Sequence, residues 1–320
     1  GGARGAHPGG GGRGVNAREW LQRGGRGASP ELAVLGAPVA RASISPSQAQ
    51  LTPAAFRRAL TRFSTFDGDH GTDLAQLAVL DLGDIEGDAE DAGAVDAHAR
   101  LEAAAAAARD RAPVVAVIGG DNSLTRPALC GLAGGALGEG WGLLTLDAHH
   151  DVRAPVDGPR NGTPVRELIE LGLPGQRVAQ VGLHGFANTA EHHRWALERG
   201  VHMRRAAEVR SVGMPRLLDE VLAVLERHGA RRVYVDIDMD VLDRAFAPAC
   251  PASMPGGLAP HHLQEAAHLL GADHRVVAVD LTEVDAAADL AGATVRCMAS
   301  VFLAFCSGLV KRRRLLSAAV

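Results

Sequence analysis

Residues 29–320 predict an α/β fold built on a parallel sheet covered by helices on both faces. Apolar strand-like runs alternate with helical stretches along this span. The strands are apolar nearly throughout, rather than at every second residue, which marks strands buried on both sides. Four of them end in acidic or amide side chains, and in open parallel sheets ligands lie beyond the carboxyl ends of the strands.

The elements follow in chain order. Residues 1–28 are Gly- and Arg-rich and cannot bury enough apolar surface to offset the entropy of ordering, so disorder is expected there. ELAVLGAP (31–38) reads as a strand closed by Gly-Ala-Pro. TPAAFRRALTRF (52–63) reads as a helix with Thr52 as N-cap and Pro53 at the first helical position. LAVLDLGDI (77–85) is a second strand, and DAGAVDAHARLEAAAAAARDR (91–111) a helix by its alanine content. PVVAVIGGDNS (113–123), GWGLLTLDAHHD (140–151), RVAQVGLHG (177–185), RRVYVDIDMDVL (231–242) and RVVAVDLTEVD (275–285) are further strands. Helices such as MPRLLDEVLAVLERHG (214–229) and APHHLQEAAHLLG (259–271) separate them. No composition break falls between residues 30 and 310, so one domain over 29–320 is expected. VKRRRLLSAAV reads as a helix end plus tail.

The bulk numbers exclude several classes. A net charge of −4 offers no footprint for nucleic acid. No run of 18 or more apolar residues predicts a membrane span. The four cysteines, Cys130, Cys250, Cys297 and Cys306, are widely spaced and read as free thiols. No leader pattern opens the chain, and a cytoplasmic location is the expectation.

The chemistry concentrates at the strand ends. An apolar run stops at Asp147, and ionisable side chains follow at every second position: Asp147, His149, Asp151. If the extended backbone persists, a period of two places all three on one face. DIDMD repeats the pattern with Asp236, Asp238 and Asp240. Asp121, Asn122 and Ser123 follow another strand, and Asp280, Glu283 and Asp285 a fourth. A lone Asp at a strand end is ordinarily a cap for the next turn. Two clusters of three are costly to ionise together unless a cation lies between them. Oxygen-rich ligation with one imidazole suits Mn²⁺ best, with Mg²⁺, Fe²⁺ and Zn²⁺ as alternatives. Carboxylates shared by two strands point to two ions, and such a pair makes hydroxide available near neutral pH.

GGDNS, DAHHD and DIDMDVLDRAFAPACPASMPGGL resemble the three signatures of the ureohydrolase superfamily, which includes arginase, agmatinase, guanidino-acid hydrolases and formimidoylglutamase. The resemblance spans about residues 32–310. It implies a three-layer α/β/α sandwich with a mostly parallel sheet, a pair of Mn²⁺ ions, hydrolysis of amidine C–N bonds, and a homo-oligomer, a trimer or hexamer. By position, Asp147, His149, Asp151, Asp238 and Asp240 match metal ligands, and Glu283 matches the glutamate that binds the substrate's cationic nitrogens. Asp236 is read as bracing the ligands, and Asp243 as supporting their strand. Asn122 stands where the family places a ligating His; its carbonyl oxygen is taken as a neutral, weaker ligand, so one metal site is expected to be weak. Asn161, in RNGTPVREL, stands where arginases and agmatinases place a proton-transferring His.

GLHGFANTAEHH (182–193), DVR (151–153) and VLDRAFAP are similar to the formimidoylglutamase-type branch. N-formimino-L-glutamate carries two carboxylates and an amidinium, which Arg153, Arg160, Arg166 and Arg244 would suit. Asp151, with His184 as a second carrier, would pass protons, while Phe186 and Asn188 would line the pocket. The alternatives are a guanidino-acid hydrolase, agmatinase or arginase releasing urea, and a metal-depleted, inactive member with a regulatory or structural role. A deacetylase-like zinc amidohydrolase is more distant, because its ligand pattern lacks DIDMD.

Overall fold

The structure, a computed structural model, describes residues 15–25 and 29–318. Eight strands build one sheet: β1 (Leu32–Ala37), β2 (Val79–Asp84), β3 (Val114–Gly119), β4 (Trp141–Leu146), β5 (Val178–Leu183), β6 (His202–Arg205), β7 (Arg232–Asp238) and β8 (Val276–Thr282). Their spatial order is β2-β1-β3-β8-β7-β4-β5-β6, and every neighbouring pair is parallel.

The pleat sends alternate side chains to two separate cores. Val114, Ala116 and Ile118 of β3 face one core, and Val115 and Val117 face the other. Both sets are fully buried, which is why the strand is apolar throughout. The first core is closed by α1 (Ala17–Arg23), α2 (Thr52–Ala59), α7 (Ala206–Val212), α8 (Met214–Arg227), α9 (Pro260–Ala272) and α10 (Ala293–Ala318). The second is closed by α3 (Val95–Arg109), α4 (Thr125–Ala133), α5 (Pro164–Glu170) and α6 (Ala190–Glu198). The result is the expected α/β/α sandwich.

Part of the segment expected to be disordered is helical. Asn16 caps α1 by accepting the Glu19 amide at 3.0 Å, and its Nδ2 donates to the Glu19 carboxylate at 3.1 Å. Gly24 ends the helix with φ +86°. Trp20 and Leu21 are 2% exposed, and the Trp20 indole donates to the Leu77 carbonyl. Burying a side chain such as Leu21 contributes roughly 1.5–3 kcal/mol, enough to hold so short a helix. Residues 1–14 and 26–28 of that segment lie outside the described residues.

Thr52 does not cap α2. A single 3₁₀ turn, Ala49–Leu51, precedes the helix, so Thr52 is already helical and its hydroxyl donates to the Val284 carbonyl. Edge strand β6, HMRR, carries no apolar run and was not legible as a strand. α10 belongs to a helical stretch, Leu290–Leu316, that is long and apolar enough to cross a membrane by length and composition, with a mean hydropathy of 1.7 over its most apolar 18 residues; however, 72% of that window is buried inside the protein, so it reads as part of a core helix. Its end carries the basic cluster, and Arg312 there donates to the carbonyls of Gly271 and Val276.

Candidate metal centre

β3, β8, β7 and β4 are adjacent in the sheet, and their carboxyl ends carry the acidic and amide residues singled out above. Asp238 ends β7 and accepts the Asp240 amide at 2.8 Å, which folds the chain into the turn Met239–Val241 and brings the two carboxylates together. β4 stops at Leu146. Asp147 then accepts the His149 amide at 2.6 Å, so the extended backbone does not continue. Asp147, His149 and Asp151 therefore converge through a loop and not through a pleat. That loop forces Asp151 to φ +51°, a conformation that a non-glycine residue adopts only when its surroundings over-determine it.

Two groups of ligating atoms result. Asp147, His149 and Asp240 lie within 4.8 Å of one another, and so do Asp147, Asp151 and Asp238. Asp147 belongs to both. The structure thus brings Asp147, His149, Asp151, Asp238 and Asp240 together, and the four acids among them are at most 9% exposed. Asp147 Oδ2 is buried with no hydrogen-bond donor. An orphaned carboxylate oxygen shared by two oxygen-rich groups, one of which includes an imidazole, fits a pair of divalent cations.

The electrostatics show what such cations would relieve. Burial, then the Asp240 charge, pushes Asp147 up to about 6. Burial, with Asp147 next, raises Asp151 far above the carboxylate range. Burial and Asp240 raise Asp238 likewise. Burial opposes the charge on His149, but Asp240, 3.0 Å away, and Asp147 outweigh it and push the imidazole up to about 12. Asp240, opposed by burial, is held low by that same imidazolium.

Beneath the acids a polar row crosses the sheet, with Asp280, Asp236, Thr145 and Gln180 paired in register. Both Asp236 oxygens lack a donor, and burial beside Asp280 raises Asp236 far above its usual range. Asp280 is held by Tyr234 Oη at 2.7 Å and Thr125 Oγ1 at 2.8 Å. Asp236 thus lies in the row under the acids, but no hydrogen bond from it braces a ligand.

Asn122 departs from the expectation. Its Nδ2 donates to Asp151 Oδ2 at 2.7 Å. Its Oδ1 accepts Thr282 Oγ1 at 3.0 Å and lies 3.1 Å from Thr125 Oγ1. The oxygen that was to ligate is occupied by hydroxyls, and the amide hydrogen faces the acids, so Asn122 as placed is not a ligand. Glu283, at φ +68° and 3% exposed, accepts the Asn122 backbone amide at 2.7 Å and Asn161 Nδ2 at 3.0 Å, both on Oε1. Burial, then the Asp121 charge, pushes it up to about 8. Asn161 Oδ1 accepts the Ile44 amide, so Asn161 ties Glu283 to the neighbouring loop.

The remaining candidates divide. His184 donates from Nε2 to the Pro255 carbonyl at 2.8 Å and accepts the Phe186 amide on Nδ1 at 3.1 Å. Both nitrogens are engaged, so a proton-carrying role is not supported. Arg244 donates to the carbonyls of Cys250 and Pro251 and braces its own loop, which corrects its assignment to substrate. Arg166 pairs with Glu170 and stacks on Trp195. Arg153 and Arg160 are exposed, and no side-chain hydrogen bond or ion pair holds either guanidinium. Asp243 accepts the amides of Ala245 and Gly256, as expected of a support. Phe186 is 90% exposed. Asn188 instead clamps the ligand loop, accepting the His150 amide and donating to the Ala148 carbonyl. Gln180 adds a second clamp through His150, which the sequence reading missed.

A profile of the arginase family matches residues 30–307. The chain is 38% identical over 281 residues to a formimidoylglutamase of Halalkalibacterium halodurans, covering 86% of each. It is 32% identical over 281 residues to the formimidoylglutamase of Bacillus subtilis, covering 87% of this chain and 86% of that one. The crystal structure of formimidoylglutamase from B. subtilis superposes with a TM-score of 0.82 at 30% identity, covering 89% of this chain and 88% of that one.

Proposed function

The chain belongs to the arginase family, hydrolases of amidine C–N bonds, and on that premise we infer that it converts N-formimino-L-glutamate and water to L-glutamate and formamide. The observation that carries this reading is a buried glutamate, Glu283, fixed through one oxygen beside the acid cluster, with two unengaged guanidiniums on the loop that also bears Asn161. An amidinium needs the first and a dicarboxylate the second. The formimidoylglutamases among the relatives support the same substrate.

Asp147, His149, Asp151, Asp238 and Asp240 would hold two Mn²⁺ ions, which supply the charge that makes water nucleophilic near neutral pH. Glu283, kept protonated by burial while alone, ionises when a cationic amidinium arrives and fixes its nitrogens. The Asn122 amide and Asn161 Nδ2 hold Oε1 still, so orientation is set before binding. Asp151, which lies with Asp147 and Asp238 in one ligating group, is the side chain assigned to pass a proton to the departing nitrogen. Arg153 and Arg160 anchor the two carboxylates, which agmatine lacks.

Formamide released from formiminoglutamate by the Mn²⁺-loaded protein, and abolished by Asp238→Ala, tests this reading. Urea from a guanidino acid would move it to another branch of the family. The Asn122 orientation favours a second reading, a metal-poor protein with a regulatory role. Less than one ion per chain and no turnover in excess Mn²⁺ would support it.

A further inference from the structure

A second cluster of ligating side chains lies apart from the strand-end acids and shares no residue with them. The hairpin that joins Phe66–Asp67 to Thr72–Asp73 packs over α9 and α10 and closes a cavity of about 660 Å³. Asp67, His70 and His268 line it, with ligating atoms within 4.8 Å of one another. His268 sits on α9, 3% exposed, and neither of its ring nitrogens has a hydrogen-bond partner. A neutral imidazole always presents one donor and one acceptor, so leaving both buried and unpaired is costly. Asp67 accepts His70 Nδ1 at 2.9 Å and is itself fixed by the Ser307 hydroxyl of α10 and by the backbone amides of Asp69 and His70. This contact sets a carboxylate beside an imidazole and leaves His70 Nε2 free, next to the unpartnered nitrogens of His268. Asp69 and Glu265 add negative charge around the cavity, against one Lys311.

We propose that Asp67, His70 and His268 form a separate site for a borderline-soft divalent cation of the Zn²⁺ class, which staples the 66–73 hairpin to α9 and α10. Two imidazoles and one carboxylate select such an ion, whereas the oxygen-rich groups at the strand ends suit Mn²⁺. The two rings lie face to face, centroids 3.5 Å apart and planes within 10°. His268 is buried on α9, whereas His70 stands on the exposed turn, so sharing one ion requires the His70 ring to turn off this stack.

The test is to load the full chain with Mn²⁺, desalt it, titrate it with Zn²⁺ and count both metals per chain. One Zn²⁺ in addition to retained Mn²⁺ is expected, with nitrogen-type visible absorption when Co²⁺ replaces it. Asp67→Asn and His70→Ala should weaken Zn²⁺ roughly 10–100-fold and leave Mn²⁺ content and hydrolysis unchanged. His70 is exposed, so its replacement tests the site even if His268→Ala fails to fold. Zn²⁺ that binds only by displacing Mn²⁺, or binding that survives both substitutions, overturns the proposal.

Discussion

Replacing Asp147 by Asn should stabilise the metal-free protein and weaken the metal-loaded one. Asp147 is 1% exposed, and burial beside Asp240 moves its carboxyl from 3.8 to about 6. That is about two units, and at ~1.4 kcal/mol per unit the folded metal-free protein carries about 3 kcal/mol of penalty for ionising this one group. The folded-state pKa lies above the unfolded one, so the penalty is absent below 3.8 and complete above about 6. Asn keeps the shape and the acceptor for the His149 amide but carries no charge. At ~2.1 cal/mol/K per residue, unfolding the 320-residue chain has an entropy at which 3 kcal/mol is worth roughly 4 °C. In chelator near pH 8, Asp147→Asn should therefore melt roughly 4 °C above the wild type by scanning calorimetry, with the advantage vanishing toward pH 4. In Mn²⁺ at a hundred times the wild-type Kd the order should reverse, since the wild type gains ~2.7 kcal/mol per occupied site and the variant little. A variant that melts lower in chelator as well would refute the claim that these acids repel one another until cations arrive.

Other outcomes follow from the same geometry. In chelator the wild type should lose stability as pH rises from about 4.5 through about 8, the interval over which Glu283 ionises in the unfolded and then the folded chain; the Mn²⁺-loaded protein should be flatter over this range in a denaturant series. Asn122→His should tighten Mn²⁺ roughly tenfold or more in competition titrations, because the side chain already faces Asp151. Unchanged affinity would remove position 122 from the site. Gly182→Ala should cost roughly 1–3 kcal/mol and weaken Mn²⁺, since φ is +105° and a Cβ would stand 2.3 Å from Val241 Cγ2 and 3.4 Å from the Asp147 carbonyl. Arg153→Ala should raise KM for formiminoglutamate roughly tenfold with kcat little changed, the worth of one charge-assisted hydrogen bond. A fall in kcat alone would place Arg153 elsewhere.

What the sequence made legible was set by burial. Strands such as β3 and β7 are covered on both faces, so their composition alone announces them, and the polar residues that interrupt them stand out by contrast. β6 is a partly exposed edge of four residues with no such contrast. α1 was hidden by the glycines around it, although Asn16 and Glu19 stood at the spacing of a capping box. The ligand set was readable because Asp147 to Asp151 and Asp236 to Asp240 are local. The orientation of Asn122 was not, because the hydroxyl that turns its oxygen belongs to Thr282, 160 residues away. The Asn188 clamp on His150, 38 residues off, was invisible for the same reason. Asp147, His149 and Asp151 converge through a loop and not through the pleat expected of DAHHD, since a period of two holds only while the strand lasts.

The order of the strands has a consequence for how the chain comes off the ribosome. β8 is the last strand made, yet it occupies the middle of the sheet, between β3 and β7. Until residues 276–282 emerge, the nascent polypeptide holds two half-sheets, β2-β1-β3 and β7-β4-β5-β6, each ending in a raw apolar border. Unpaired borders of this kind invite pairing with other chains. A stalled or truncated product ending short of residue 276 should be an aggregating species that holds the acids of β4 and β7 but lacks Glu283, which follows β8.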